Sequence, residues 1–400
     1  MSWVLNTKYL SDKQIKGFDK YKYNAVDTSP LSVYVMHPFW NAVVKTVPMW
    51  VAPNLLTFTG FVMLIVNYIL LSYLDWSFCA SSREHPDYPP IPWWVWFLSG
   101  SFQFLAHTLD GIDGKQARRT GSSTPLGELF DHGSDSVVAA VLPPALYCIF
   151  GRGATDYGAS VWTLYWVCWH IIGCFALSHW EKYLTGVLYL PWGYDISQVS
   201  ISIVYLITAV CGYEIWKGTY AFGFEFRWFF LAAVYGGSCF FFIPISLYNI
   251  YRSYRDGTGK NRGFIDAAEP TFPFVILFIT STTWAVYSPS DILDVEPRLF
   301  CLVMGLLLSN AVCRLIICQM TDTRASRFNW LLLPYVRISV LSIAANIGNL
   351  ELVLLYALTV LVVCSHVHFG VNVVRQLCDY FKIYCFSITS KPPKNHERTK

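Results

Sequence analysis

The stretch Leu109–Ser136 reads LDGIDGKQARRTGSSTPLGELFDHGSDS. It gathers four aspartates, a glutamate and a histidine between segments that are otherwise apolar. On either side, apolar runs of roughly 18 to 22 residues recur along the chain, each long enough to cross about 30 Å of hydrocarbon. The 400 residues are 54% hydrophobic and 17% aromatic, and only 14% are charged. Soluble domains carry about 25% charged residues, so a large soluble enzyme is excluded. The sequence predicts an all-α, polytopic membrane protein of about ten transmembrane helices.

The expected span cores are Asn54–Leu74, Pro92–Leu109, Ser136–Phe150, Ser160–Leu177, Ile196–Tyr213, Trp228–Ile250, Thr271–Tyr287, Leu299–Met320, Trp330–Ile347 and Leu352–Val374. The third is short and contains Pro143-Pro144, which predicts a kink. Before the first span, Leu31–Val44 (LSVYVMHPFWNAVV) reads as a short amphipathic helix lying in the membrane interface. The expected organisation is an interfacial and cytosolic segment over 1–50, a transmembrane domain over 51–385 and a basic tail over 386–400. With the N-terminus in the cytosol, about 22 of the 29 Lys and Arg residues fall on the cytosolic side and about 5 on the other. Both termini and the charged stretch then face the cytosol. The twelve cysteines lie mostly in apolar runs and read as buried thiols. Gly257–Lys260 lacks the spacing of a phosphate loop and reads as a turn. Nothing in the charge pattern points to nucleic acid.

Spacing gives the charged stretch its chemistry. Asp110 and Asp113 are three apart, Asp131 and Asp135 four apart, so each pair shares one helix face. Two such pairs facing one another repel unless cations lie between them. All-oxygen ligands favour hard divalent ions such as Mg²⁺ or Mn²⁺, and two ions suit a clamp on a phosphoryl group in transfer. Gly111, Gly114 and Gly127 read as places where a ligand approaches the backbone, and Ala117 keeps the same face open. Arg118 and Arg119 suit phosphate oxygens. Glu128 and His132 form a further i, i+4 pair, in which a carboxylate holding an imidazole makes a general base. The spacing does not fit an EF-hand. A cation-coupled transporter is the competing reading, but its carboxylates belong nearer mid-membrane, and it has no need of small residues at Gly114 and Ala117.

These residues resemble the signature of the CDP-alcohol phosphotransferases, D-x2-D-G-x2-A-R-x8-G-x3-D-x3-D. It is matched without a gap by Asp110, Asp113, Gly114, Ala117, Arg118, Gly127, Asp131 and Asp135. Further stretches, among them APNLLTF (52–58) and HWEKYLTGVLYLPWGYDISQ (179–198), look like the eukaryotic ethanolamine branch; the choline and dual-specificity enzymes look similar around the signature. The resemblance implies transfer of phosphoethanolamine from CDP-ethanolamine to diacylglycerol or alkyl-acylglycerol, releasing CMP. It implies that the aspartates hold Mg²⁺ or Mn²⁺ and that Gly114, Ala117, Arg118 and Gly127 line the nucleotide site. Asn54 is expected at the nucleotide phosphates with Thr57 beside it, and Glu181 and Lys182 at the head group or lipid. For the base the choice lies between His132, oriented by Glu128, and Asp135; His132 is preferred, because a carboxylate clamped to a cation is a weak base. A homodimer in the endoplasmic reticulum or Golgi membrane is implied as well. One departure is the tail: vertebrate members carry a selenocysteine there, and no cysteine follows Cys385.

Overall fold

A computed structural model describes residues 7–153, 157–220 and 223–390. Its helices are α1 (Asp12–Gly17), α2 (His37–Val43), α3 (Pro53–Leu74), α4 (Trp93–Thr120), α5 (Pro125–Phe150), α6 (Val161–Thr185), α7 (Gly193–Cys211), α8 (Phe226–Gly237), α9 (Ile243–Asp256), α10 (Phe264–Ala268), α11 (Phe272–Tyr287), α12 (Ile292–Val295), α13 (Pro297–Thr321), α14 (Leu332–Ala345) and α15 (Leu350–Tyr380). Strands are vestigial. β1 (Ala25–Val26) pairs in parallel with β2 (Leu188–Tyr189), and β3 (Ile383–Tyr384) pairs with β4 (Ser387–Ser390).

Every expected span coincides with a helix. Among the described residues, eight helices are long and apolar enough to cross a membrane, with α8 and α9 joined through a π-helical turn into one of them. The chain is a polytopic, all-α membrane protein. The other two expected spans are the less apolar α4 and the short α14. α4 has 28 residues, and Gln103 and His107 interrupt its apolar run before the charges of Asp110 to Arg119. α14 has only 14 residues, about 21 Å of helix.

The third span is also longer than the sequence reading gave it. α5 runs for 26 residues and is not interrupted at Pro143-Pro144. It starts where Thr124 caps the helix, its hydroxyl accepting from Gly127 N, with Pro125 at the first helical position. Both are ordinary start signals. As a result the whole signature is helical except for the turn between Thr120 and Pro125.

α13 is the axis of the bundle. Of its 25 residues all but Leu302 and Arg314 are buried, as befits a helix apolar all round. It packs on α5 where Gly305 meets Ala140: a Cβ at 305 would stand 2.6 Å from the alanine methyl, so the two backbones touch. Arg314, half-buried, donates to Asn310 and lies 4.9 Å above the Phe369 ring, which pairs it inside the bundle. α3 packs on α4 and α5, and α4 on α7; α6 packs on α5, α9 and α13, and α15 on α13.

The N-terminal segment is woven into one end of this bundle. Gly17 lies against Thr321 at the end of α13, and Phe18 is buried. The Leu31–Val44 segment is helical, as expected. It buries Ser32, Met36, Trp40 and Val44 at four-residue spacing and turns Val33, Tyr34 and Val35 outward. Of the 386–400 tail only 386–390 is described; there Phe386 rests against Phe58 and Phe130.

Trp40 corrects one sequence expectation. A Cβ on Gly111 would lie 2.1 Å from the Trp40 ring, so this glycine makes room for a packing partner and not for a ligand. Gly111→Ala is expected to lose about 1–3 kcal/mol of stability through overpacking. Adding Trp40→Leu should restore part of that loss in thermal unfolding of the purified protein. Equal stability of Gly111→Ala and the parent would refute the assignment.

Candidate active site

α4 and α5 both pack on α3, and the last turns of α4 come near the first turns of α5. Their spacing places Asp110 and Asp113 on one face and Asp131 and Asp135 on another, and the helices turn these faces together. Oxygens of Asp110, Asp113 and Asp131 lie within 4.8 Å of one another, and ligand atoms of Asp131, His132 and Asp135 form a second group of the same compactness. Asp131 belongs to both. All four aspartates are partly buried.

The residues fit a cation. Asp131 Oδ1 is buried with no hydrogen-bond partner among the described residues. A carboxylate oxygen removed from water and left unpartnered is costly unless a positive charge meets it. Asp113 accepts from the Thr57 hydroxyl at 2.5 Å, and Asp110 accepts from the Tyr194 hydroxyl at 3.0 Å. Each of these bonds occupies one carboxylate oxygen. Thr57, expected beside the nucleotide, is thus seated on a carboxylate.

The two glycines of the signature, unlike Gly111, are not pressed by a packed ring. At Gly114 a Cβ would meet nothing nearer than Arg118 Nη1 at 3.7 Å. At Gly127 it would meet Asn54 Oδ1 at 3.4 Å. Space is therefore open beside Gly114 and bordered by Asn54 near Gly127, with Ala117 one turn further along α4. Asn54 Nδ2 also reaches Cys385 Sγ at 3.8 Å, so the C-terminal hairpin closes this side. The two arginines part company. Arg119 is used structurally, its Nη1 donating to the carbonyls of Val44 and Val47 at 2.7 and 2.6 Å. Arg118 remains exposed over Gly114.

The expected Glu128–His132 bond is absent from this structure. His132 Nε2 stands 3.9 Å from Glu128 Oε1, beyond hydrogen-bond range. The reason is competition. Glu128 Oε1 already accepts from Lys182 Nζ and from the Tyr21 hydroxyl, both at 2.5 Å. His132 Nδ1 faces Asp131 and Asp135 at 3.8 Å each. Its Nε2 is buried and has no hydrogen-bond partner among the described residues. The His179 ring lies 5.3 Å from it, edge to face.

Glu181 and Lys182 also separate, because adjacent positions on a helix diverge by about 100°. Lys182 points to the site and is buried between the Tyr21 and Tyr23 rings, at 5.6 and 5.2 Å. Glu181 points away and accepts from Ser246 and Asn249 of α9 at 2.6 and 2.8 Å. It ties α6 to α9. Burial first, then the Glu128 carboxylate, raise the phenol pKa of both Tyr21 and Tyr23. Both remain hydrogen-bond donors at neutral pH.

Sequence reasoning missed Tyr21, Tyr23, His179 and Tyr194. The first two sit in an irregular segment with no periodicity to aim them. Tyr194 comes from the start of α7, 84 residues away from its partner.

Comparison with known proteins bears on the whole length. The model of the family described as CDP-alcohol phosphatidyltransferase matches residues 50–234. The chain is 50% identical over 382 residues to ethanolaminephosphotransferase 1 of Mus musculus, with 95% of each chain covered. The Homo sapiens protein of the same name is 50% identical over 381 residues, again with 95% of each covered. Choline/ethanolaminephosphotransferase 1 of Arabidopsis thaliana is 33% identical over 402 residues, covering 96% of this chain and 99% of the relative. Full-length likeness of this order, joined to a signature whose aspartates converge in space, leaves one assignment: the chain belongs to the CDP-alcohol phosphatidyltransferase family and is a membrane-embedded transferase.

Proposed function

We propose that the protein transfers phosphoethanolamine from CDP-ethanolamine to diacylglycerol, or to alkyl-acylglycerol, giving phosphatidylethanolamine and CMP. The observation that carries the reading is the convergence of Asp110, Asp113, Asp131 and Asp135, with the His132 imidazole in one group and open space beside Gly114. The ethanolamine donor is favoured by the 50% identity to proteins named for it, against 33% to one named for both alcohols.

Two ions, Mg²⁺ or Mn²⁺, would be held by Asp110, Asp113 and Asp131 on one side and by Asp131 and Asp135 on the other. Bound there, they would neutralise the diphosphate and the charge developing on departing CMP. The rest follows from the chain. Gly114 and Ala117 leave room for the nucleotide, and Arg118 stands where it can pair with phosphate oxygens. The acceptor hydroxyl attacks the β-phosphorus in line as the bond to CMP breaks. His132 takes its proton at Nε2, the nitrogen left without a partner, while Nδ1–H points to the carboxylates of Asp131 and Asp135. Glu128 acts on this imidazole through its field and not through a hydrogen bond. Lys182 and the Tyr21 and Tyr23 rings border the same carboxylate.

A site at the end of the spans lets a water-soluble nucleotide meet a lipid that arrives sideways. The excess of Lys and Arg favours a cytosolic position for that end, and the membrane in this reading is that of the endoplasmic reticulum or Golgi. The active unit is a homodimer.

The test is CMP release by purified protein in detergent with diacylglycerol. CDP-ethanolamine should be used at least about 10-fold better than CDP-choline, ~1.4 kcal/mol of discrimination. EDTA should stop the reaction and Mg²⁺ or Mn²⁺ restore it. Equal use of both donors would make the enzyme dual-specific. No CMP from either donor would overturn the reading.

A further inference from the structure

The first turn of α7 grips the helix that carries the first aspartate pair. Tyr194 donates to Asp110 Oδ2 at 3.0 Å. The next residue, Asp195, is buried and faces two other elements. Its Oδ1 lies 3.3 Å from His107 Nε2, one turn before Asp110 on α4, with both side chains almost fully buried. Its Oδ2 accepts from the Ser32 hydroxyl of the interfacial helix. Further along, Gln198 accepts from Gln103 of α4. Aromatic rings fill the space between: Trp40 and Tyr194 both meet the His107 ring edge-on, at 5.3 and 5.8 Å. Three consecutive turns of α4 are thereby fixed from one side, and Asp110 is the only one of the four aspartates that α7 touches by a hydrogen bond among the described residues.

We propose that Tyr194 is a positioning residue for the metal ligand Asp110, and that the Asp195–His107 contact holds the turn of α4 on which Asp110 sits. The inference rests on the metal-binding reading above. A phenol is suited to the task. It gives one hydrogen bond to one carboxylate oxygen, adds no charge, and leaves the second oxygen directed at the cation. Loss of such an outer partner lowers metal affinity by about 10- to 100-fold. It does not remove a ligand, so the reaction should recover when metal is supplied in excess. Asp195 acts one step further back, through His107, and its effect should be smaller.

The experiment uses the purified full chain and reads Mn²⁺ binding directly, from the electron paramagnetic resonance signal of the free ion, without turnover. Tyr194→Phe should bind Mn²⁺ about 10- to 100-fold more weakly, and Asp195→Asn should weaken binding several-fold. In a parallel CMP-release titration, the Mn²⁺ needed for half-maximal rate should rise in Tyr194→Phe, with the rate at saturating Mn²⁺ within about 3-fold of the parent (~0.5 in log units of rate). Metal-free thermal stability serves as the control for a merely structural role. Unchanged Mn²⁺ binding in a well-folded Tyr194→Phe would overturn the proposal. So would a lowered stability with unchanged affinity. Should Tyr194→Phe fail to fold, Asp195→Asn decides on the same readout, and parent-like binding there overturns the brace. If the parent itself binds no Mn²⁺, the metal-centre reading fails first and is identified as such.

Discussion

Asp131→Asn is expected to lower CMP release by about three orders of magnitude, ~4 kcal/mol of transition-state stabilisation, with the protein still folded. Asp131 is the one carboxylate common to both ligand groups, and its Oδ1 has no other partner among the described residues. Asparagine keeps the volume and one oxygen but removes the charge, so neither cation would retain its full set of ligands. The fold should tolerate the change. Without cations the four carboxylates repel one another, and removing one charge relieves that repulsion; metal-free thermal stability should hold or rise. Asp135→Asn is the informative companion, because Asp135 belongs to one group only. It should retain Mn²⁺ binding at the Asp110, Asp113 and Asp131 group. An active Asp131→Asn variant would dismantle the shared-ligand reading whatever the other aspartates do.

Much of this was legible in the sequence. Spacings of three and four placed each aspartate pair on one helix face, and apolar runs located every span, because both signals are local and periodic. What was not legible came from long-range packing. Gly111 looked like a ligand-facing glycine beside Gly114; only the position of Trp40, 71 residues earlier in the chain, shows otherwise. Glu128 and His132 have the right spacing to pair, yet spacing cannot reveal that Lys182 and Tyr21 reach the carboxylate first. Glu181 and Lys182 looked equivalent as neighbours in sequence, and the helix sends one to α9 and the other to the site. The start of α5 was, by contrast, written in the chain: Thr124-Pro125 is a cap followed by a first-turn proline, a signal outweighed there by the charges that follow it.

The Glu128–Lys182 pair yields the second large effect, and its two functions can be separated. Both side chains are nearly buried, at 9% and 3% exposure. Removing one member of a buried pair leaves a charge without a partner, which costs about 3–5 kcal/mol. Lys182→Met should therefore destabilise the protein strongly, and Glu128→Gln should do so as well, since the ammonium then has only the two tyrosine rings beside it. The double variant Glu128→Gln, Lys182→Met removes both charges at once. Its stability should return to near that of the parent, because a buried ion pair replaced as a whole is often neutral. Its activity should not return. With Glu128 neutral, the imidazolium that forms when His132 takes the acceptor proton loses the nearby negative charge 3.9 Å away. General-base catalysis contributes about 10²- to 10⁴-fold, so CMP release in the double variant should stay at least about 100-fold below the parent. Chemical unfolding and the CMP assay on the same preparations make the comparison. Recovery of both stability and activity would mean that Glu128 serves only to neutralise Lys182, and His132 would then work unaided. Recovery of neither would mean that the Tyr21 and Tyr23 segment depends on the ammonium itself, and that the pair organises the N-terminal wall of the site and has no separable role in catalysis.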